Sequence, residues 1–115
     1  MVILKETDNE LVIVLTTESN SATADKLAKE LLRRRLAACV SLREIKSYFF
    51  WQEKLEQSHE VELLIKTTAS KLHSLIEAIH KLHSYQIPEL LFWNVSANEP
   101  YKKWTQEVVA FSKDS

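Results

Sequence analysis

Hydrophobic and polar residues follow patterns that predict a strand, a helix and two further strands in the first half of the chain. The continuous apolar, β-branched run at residues 11–17 is typical of a strand covered on both faces. The next apolar positions have the spacing of one helix face: Ala24, Leu27, Ala28, Leu31 and Leu32. Residues 38–42 and 47–51 favour a strand with a polar kink, and residues 58–67 alternate cleanly. We therefore expect two long antiparallel strands joined by a polar turn at residues 53–57.

The second half of the chain predicts a helix, a strand and a last helix. Ser70 is a candidate N-cap for a helix with an apolar stripe at Leu72, Leu75, Ile76 and Ile79. Pro88 cannot continue that helix, and residues 90–95 predict the fourth strand. Asn98, with Pro100 two residues later, indicates the start of the C-terminal helix. The residues expected to hold this helix against the sheet or against a neighbouring subunit are Tyr101, Trp104, Val108 and Phe111.

The predicted order of elements indicates the fold class. Strands and helices in the order β-α-β-β-α-β form the ferredoxin-like, split-βαβ pattern of α+β proteins, here with an additional C-terminal helix. The 115 residues suffice for one hydrophobic core, so we expect a single domain at residues 11–115 after an N-terminal extension at residues 1–10. This fold hosts many activities, so function has to be argued from particular residues.

Composition excludes several classes of function and location. With fifteen basic and sixteen acidic residues, the chain lacks the net positive charge that favours binding to nucleic acids. The chain has no glycine, which excludes glycine-rich phosphate loops and makes a tight Asn-Gly type of hairpin turn unexpected. A single cysteine, with no run typical of a signal peptide or a membrane span, favours a cytoplasmic location without a membrane partner. We expect Cys39 itself to pack as a small hydrophobic residue.

Four segments in one order give the chain a resemblance to a known family. They are residues 36–40 (LAACV), 50–52 with 54–56 (FWQ and KLE), 60–67 (EVELLIKT) and 85–90 (YQIPEL). Together these segments resemble the CutA divalent-cation-tolerance family, and the similarity extends from about Leu11 to Trp104.

The chain departs from that family at three places. The loop after the Cys39 strand has Arg43-Glu44-Ile45-Lys46 where many members have Pro-Gly, and Glu53 stands where many have glycine. Some members carry a copper-binding cysteine at the end of the first strand, where this chain has Thr16. This last difference argues against a thiolate copper site.

The resemblance implies a non-enzymatic, heat-resistant homotrimer linked to tolerance of divalent cations, copper among them. In the family the second and third strands pair between subunits, and the C-terminal helix helps to close the assembly. The aromatic run at residues 48–51 independently favours an interface, since one small sheet cannot cover it.

The resemblance also places a candidate ligand site in a cleft between subunits. The cleft residues that it implies are Trp51, Glu60, Lys66, Tyr85, Pro88 and Glu89. Lys66 and Glu89 could form an ion pair, with Tyr85 donating to one of them, and so bind a small anion or zwitterion. The same residues could instead serve only to specify the assembly.

Histidines supply the candidate metal ligands. The position of His83 matches a histidine linked to copper in some family members, although a histidine at a helix C-terminus also interacts with the last carbonyls. His73, Glu77 and His80 share one side of the second predicted helix, as ligands or as a solvated face. We expect no required cofactor and at most weak binding of copper or another divalent cation.

Other functions compatible with the fold make distinct demands on the sequence. A trimer with a signalling or purely structural role would need no metal. An acylphosphatase would need a phosphate-binding loop after the first strand, and no such loop is present. An RNA-binding sheet could use Tyr48, Phe49 and Phe50 for stacking, but its glycine-containing motif is missing.

Overall fold

A computed structural model describes residues 10–110 and confirms the α+β, ferredoxin-like class. One antiparallel sheet has the strand order β2-β3-β1-β4. The elements in chain order are β1 (Leu11–Glu18), α1 (Ser21–Arg33), β2 (Cys39–Trp51), β3 (Lys54–Thr68), a 3-10 turn (Ala69–Lys71), α2 (Leu72–Leu82), β4 (Leu91–Val95) and α3 (Glu99–Ala110). Apart from Glu10, the predicted N-terminal extension lies outside the described residues, as does Phe111.

The core lies between α1, α2 and one face of the two central strands. Alternate residues of β1 and β3 point toward these helices, and their side chains are fully or almost fully buried: Val12, Val14, Val61, Leu63 and Ile65. The helices add the predicted stripes, including Leu31 from α1 and Ile79 from α2. Helix α3 packs on the other face of the sheet. Its Tyr101 interacts with Cys39, and the ladder partner of Cys39 is Lys66, which points away from the core because its neighbour Ile65 points into it.

Side-chain caps confirm one predicted helix start and correct another. Asn98 accepts a hydrogen bond from the backbone N–H of Tyr101 (2.8 Å) and begins α3 as expected. The predicted cap at Ser70 is wrong: its hydroxyl pairs with that of Thr68 (2.9 Å) instead. Helix α2 follows a 3-10 turn at Ala69–Lys71 and has no side-chain cap at its start.

The second and third strands form a longer and tighter hairpin than the sequence pattern predicted. The expected polar kink is absent, because Arg43 pairs with Glu62 across the ladder (2.9 Å) and keeps β2 continuous. The expected loop at residues 53–57 is also wrong. Gln52 and Glu53 alone form the connection, with φ of 50° and 64°. Positive φ at both central residues is typical of a type I′ turn, whose twist matches that of the flanking strands.

The hairpin projects beyond the rest of the sheet. The partner of Val61 is Glu18, the last residue of β1, so the distal part of β3 pairs with β2 alone. The chain is accordingly elongated, with extents of 53 × 27 × 26 Å. The large apolar side chains that remain exposed on the projection are Tyr48, Phe49, Phe50, Trp51 and Leu55. A single chain therefore leaves an aromatic surface uncovered.

Candidate functional site

A cleft of the described chain lies between the hairpin and the segment that connects α2 to β4. Its volume is about 640 Å³. Its lining includes Tyr48, Phe49, Trp51, Glu60, Tyr85 and Glu89. Four of the six predicted cleft residues thus meet around one space, whereas Lys66 and Pro88 are not part of its lining.

Tyr85 and Glu60 are joined by a hydrogen bond across the cleft. The Tyr85 hydroxyl donates to Oε2 of Glu60 at 2.9 Å, which ties the α2–β4 connection to the projecting hairpin. Burial, and then the hydrogen bond and charge of Glu60, hold the pKa of Tyr85 well above its usual range. The phenol therefore stays protonated and remains a donor.

His83 holds the start of the connecting segment. The backbone N–H of Tyr85 donates to Nδ1 at 2.9 Å, and Nε2 lies 2.5 Å from the carbonyl oxygen of Thr17. A carbonyl can only accept, so His83 carries its proton on Nε2 while Nδ1 accepts. The imidazole is fully buried. The imidazole thus joins Tyr85 to β1, whereas only the backbone N–H of His83 donates to a carbonyl of α2, that of Ile79.

Glu18 is a buried carboxylate that the sequence analysis did not identify. Its side chain is 1% exposed and lies at the end of β1. The backbone N–H of Ser84 donates to Oε2 (3.1 Å), while the Ser84 hydroxyl and the Ser19 N–H donate to Oε1. Nδ1 of His83 is 3.8 Å from Oε2. The one signal in the sequence is that Glu18 directly follows the apolar run at residues 11–17. A solvent-exposed acidic residue at the end of a strand would give the same signal.

Lys66 is distant from the cleft of its own chain, so an ion pair with Glu89 does not form within one chain, and a pair between subunits stays a prediction. Its Nζ donates to Oγ of Ser41 (2.5 Å) and lies 3.7 Å from Sγ of Cys39. Glu60 is six residues away on the same strand, a separation of roughly 20 Å at the rise of a β-strand. Cys39 is only partly buried and contacts this ammonium group, which differs from the purely apolar packing expected.

The candidate metal ligands do not assemble into a centre in the described part of the chain. Nε2 of His73 lies 3.0 Å from Oε1 of Glu77, and both side chains are exposed. His80 does not complete a set, since residues 10–110 contain no cluster of three or more potential His, Cys, Asp or Glu ligands. A copper ion at His83 would have to displace a hydrogen bond from one ring nitrogen. The residues present therefore do not fit copper, and ligation by His83 stays a prediction.

Fold and cleft together define a class: a ferredoxin-like α+β protein with a projecting hairpin and a cleft of ligand size beside it. Comparison with known proteins identifies the family. The family model described as CutA1 divalent ion tolerance protein matches residues 12–108. The chain belongs to this family.

Related proteins support the assignment over most of the chain. The divalent-cation tolerance protein CutA of Pyrococcus horikoshii is 38% identical over 98 residues, covering 84% of this chain and 96% of its own. That of Citrobacter koseri is 41% identical over 97 residues, covering 83% and 84%. Among solved structures, P. horikoshii CutA1 has a TM-score of 0.82 at 37% identity, covering 84% and 96%. Synechococcus elongatus CutA has a TM-score of 0.85 at 31%, covering 88% and 91%.

The names of the relatives bear on activity and location. They are named as tolerance proteins and not as enzymes. No helix in residues 10–110 combines the length and hydropathy needed to span a membrane. A CutA structure from Archaeoglobus fulgidus is described as periplasmic, so a cytoplasmic location for this chain stays a prediction.

Proposed function

We propose that this chain acts in tolerance to divalent cations as a homotrimer whose subunit boundaries bind a small ligand. The observation that carries the proposal is the cleft beside an uncovered aromatic hairpin, in a chain of the CutA1 family. Clefts of 300–1,000 Å³ with apolar walls and a few convergent polar groups are typical of small-molecule sites.

The exposed hairpin supports self-association. Tyr48 and Phe50 are 62% and 75% exposed on one face, and Trp51 is 61% exposed on the other. Strand β2 is an edge of the sheet and presents unpaired backbone groups along 13 residues. A long strand edge that ends in exposed aromatic residues promotes aggregation unless another strand or subunit covers it. A closed trimer, the assembly that the family resemblance implies, removes these edges.

Light scattering coupled to gel filtration tests the assembly. We expect a mass of about 40 kDa, three times the 13.4 kDa of one chain. Phe50→Lys places a charge on the hairpin and should lower the mass toward that of one chain. Lys71→Glu, in the 3-10 turn, is the control for a change of surface charge. A wild-type mass near 13 kDa at micromolar concentration would rule out the trimer.

A separate measurement tests the role of metal. Copper(II) and zinc(II) are titrated calorimetrically into wild type and into His83→Gln, with circular dichroism confirming that the variant folds. We expect weak binding that His83→Gln leaves unchanged, because both ring nitrogens of His83 already make hydrogen bonds. Submicromolar binding that is lost in His83→Gln would restore His83 as a metal ligand.

A further inference from the structure

A separate pocket lies in the helical layer, between α1 and the end of α2. Its volume is about 370 Å³. Among its described lining residues, none belongs to the β2–β3 hairpin or to α3, the elements that the family resemblance places in the assembly. The chemistry of this pocket can therefore be read from one chain. Its walls include Lys26, Leu27 and Glu30 of α1, Lys81 and Leu82 of α2, and Glu18 of β1.

Basic residues are concentrated in the helical layer. Residues 21–35 and 69–83, which span α1 and α2, contain seven of the fifteen lysines and arginines but three of the sixteen acidic residues. The net charge of -1 is thus unevenly distributed, with a positive helical layer and a negative remainder. A positive field of this kind attracts anions toward the pocket.

Two carboxylates belong to the pocket, and both already have hydrogen-bond donors. The side chain of Glu18 is 1% exposed and accepts from the backbone N–H and the hydroxyl of Ser84. Glu30 accepts from the guanidinium groups of Arg33 and Arg34. Glu30 and its two arginines together carry one positive charge. The carboxylates therefore leave the charge that faces a ligand to the lysines.

Lys26 and Lys81 are the charged side chains of the pocket that a ligand can reach. Both are exposed, and the ion pairs within residues 10–110 include neither of them. They line the same space from two different helices. Two ammonium groups beside one pocket repel each other, and an anion between them offsets this repulsion and accepts charge-assisted hydrogen bonds from both.

We propose that this pocket binds a small organic oxyanion, a carboxylate or a phosphate monoester, through the ammonium groups of Lys26 and Lys81. Leu27 and Leu82 provide a wall for the apolar part of such a ligand. The volume lies within the range of small-molecule sites and suits a compact molecule. Lysine binds oxyanions as a point charge, so it accepts both head groups. This site goes beyond the proposed function and is independent of the cleft beside the hairpin.

Three probes that share a ring distinguish charge from shape. Phenyl phosphate and benzoate carry the two head groups, and benzyl alcohol carries none. Each is titrated at low salt into the wild-type protein in its native oligomeric state, and ligand-observed NMR measures the affinity. We expect at least one anion to bind about tenfold more tightly than benzyl alcohol, because only an anion gains from the lysines. The anion that binds more tightly identifies the head group as phosphate or carboxylate.

Matched variants locate the binding. Lys26→Met and Lys81→Met remove one charge each and should each weaken the anion about fivefold to tenfold while leaving benzyl alcohol unchanged. Lys81→Arg keeps the charge and should retain most of the affinity. Lys29→Met is the control, because Lys29 is an exposed residue of the same helix as Lys26 and does not line the pocket. Circular dichroism confirms that the variants fold.

Four outcomes would overturn the inference. Equal affinities for the anions and benzyl alcohol would remove the role of charge. An equal loss in Lys29→Met would replace the site by a diffuse positive field. Anion binding that survives both Lys26→Met and Lys81→Met would move the ligand elsewhere, and would leave the proposed ligand cleft between subunits untouched. No detectable binding of either anion at millimolar concentration would refute the site, whereas the trimer is tested separately by its mass.

Discussion

Replacing Thr16 by valine should stabilise the protein, because the threonine hydroxyl is buried without a hydrogen bond. The side chain is fully buried in β1, opposite Leu63. Within the described residues, Oγ1 of Thr16 is a buried side-chain oxygen that lacks any hydrogen-bond partner. Valine has nearly the same shape and the same branching at Cβ, so it fits the strand without a cavity.

The size of the effect follows from the cost of the unpaired hydroxyl. An unsatisfied buried donor or acceptor costs about 1–3 kcal/mol, and an added methyl group gains burial of about 0.8 kcal/mol. Relaxation of the hydroxyl toward a weak partner would reduce the difference. We therefore expect Thr16→Val to raise the free energy of unfolding by about 1–2 kcal/mol per chain.

Thr67→Val is the matched control. Thr67 is equally buried, in the neighbouring strand β3, but its hydroxyl donates to the carbonyl oxygen of Leu36 at 2.8 Å. Valine at this position leaves that carbonyl unpaired and should lower the free energy of unfolding by about 1 kcal/mol or more. The same substitution of threonine by valine should thus change the free energy of unfolding in opposite directions at the two buried positions.

Guanidinium denaturation monitored by circular dichroism measures both variants. All samples must have the same protein concentration, since unfolding of an oligomer depends on it. A rise in midpoint for Thr16→Val and a fall for Thr67→Val, with unchanged slopes, would support the reasoning. Destabilisation by both substitutions would refute it, because it would mean that the Thr16 hydroxyl has a stabilising partner such as a buried water.

Three further changes test the turn, a surface cluster and the cleft. Glu53→Gly should raise the free energy of unfolding by about 1 kcal/mol, since a φ of 64° at Glu53 is unfavourable for a residue with a Cβ atom; an unchanged free energy of unfolding would count against strain. Hydrogen bonds and charge from Arg33 and Arg34 outweigh desolvation and lower the pKa of Glu30 from 4.5 to about 2. Glu30→Gln should therefore be less stable than wild type above pH 4.5, and the difference should vanish as the pH falls toward 2; a constant difference would contradict this. Glu60→Gln should lower the pKa of Tyr85, measured by ultraviolet absorbance; no change would exclude the contact.

Local patterns predicted most of the fold. Apolar alternation in residues 58–67 identified the buried face of β3, and Asn98 marked the start of α3, because each signal depends only on neighbours in sequence. The hairpin turn was missed because Gln52 and Glu53 lack the usual residues for positive φ. There the pairing of two long strands overrides the preference of the turn residues.

The candidate site was predicted in part. Trp51, Glu60, Tyr85 and Glu89 do line one cleft, and the resemblance implied this grouping. Lys66 does not line the cleft of its own chain, because six residues of extended strand separate it from Glu60 by far more than a side chain can reach.

The sequence by itself determined the elements, the ferredoxin-like class and the family, since periodicity and motif order are properties of the linear chain. Only the tertiary structure decided which groups meet. The register of β3 with β2 turns Lys66 toward Ser41, and the path of the α2–β4 connection places Tyr85 on Glu60 and occupies both nitrogens of His83. These contacts join residues that are distant in sequence, so no local pattern encodes them. They place Tyr85, Glu60 and the aromatic side chains of the hairpin around one cleft of the chain.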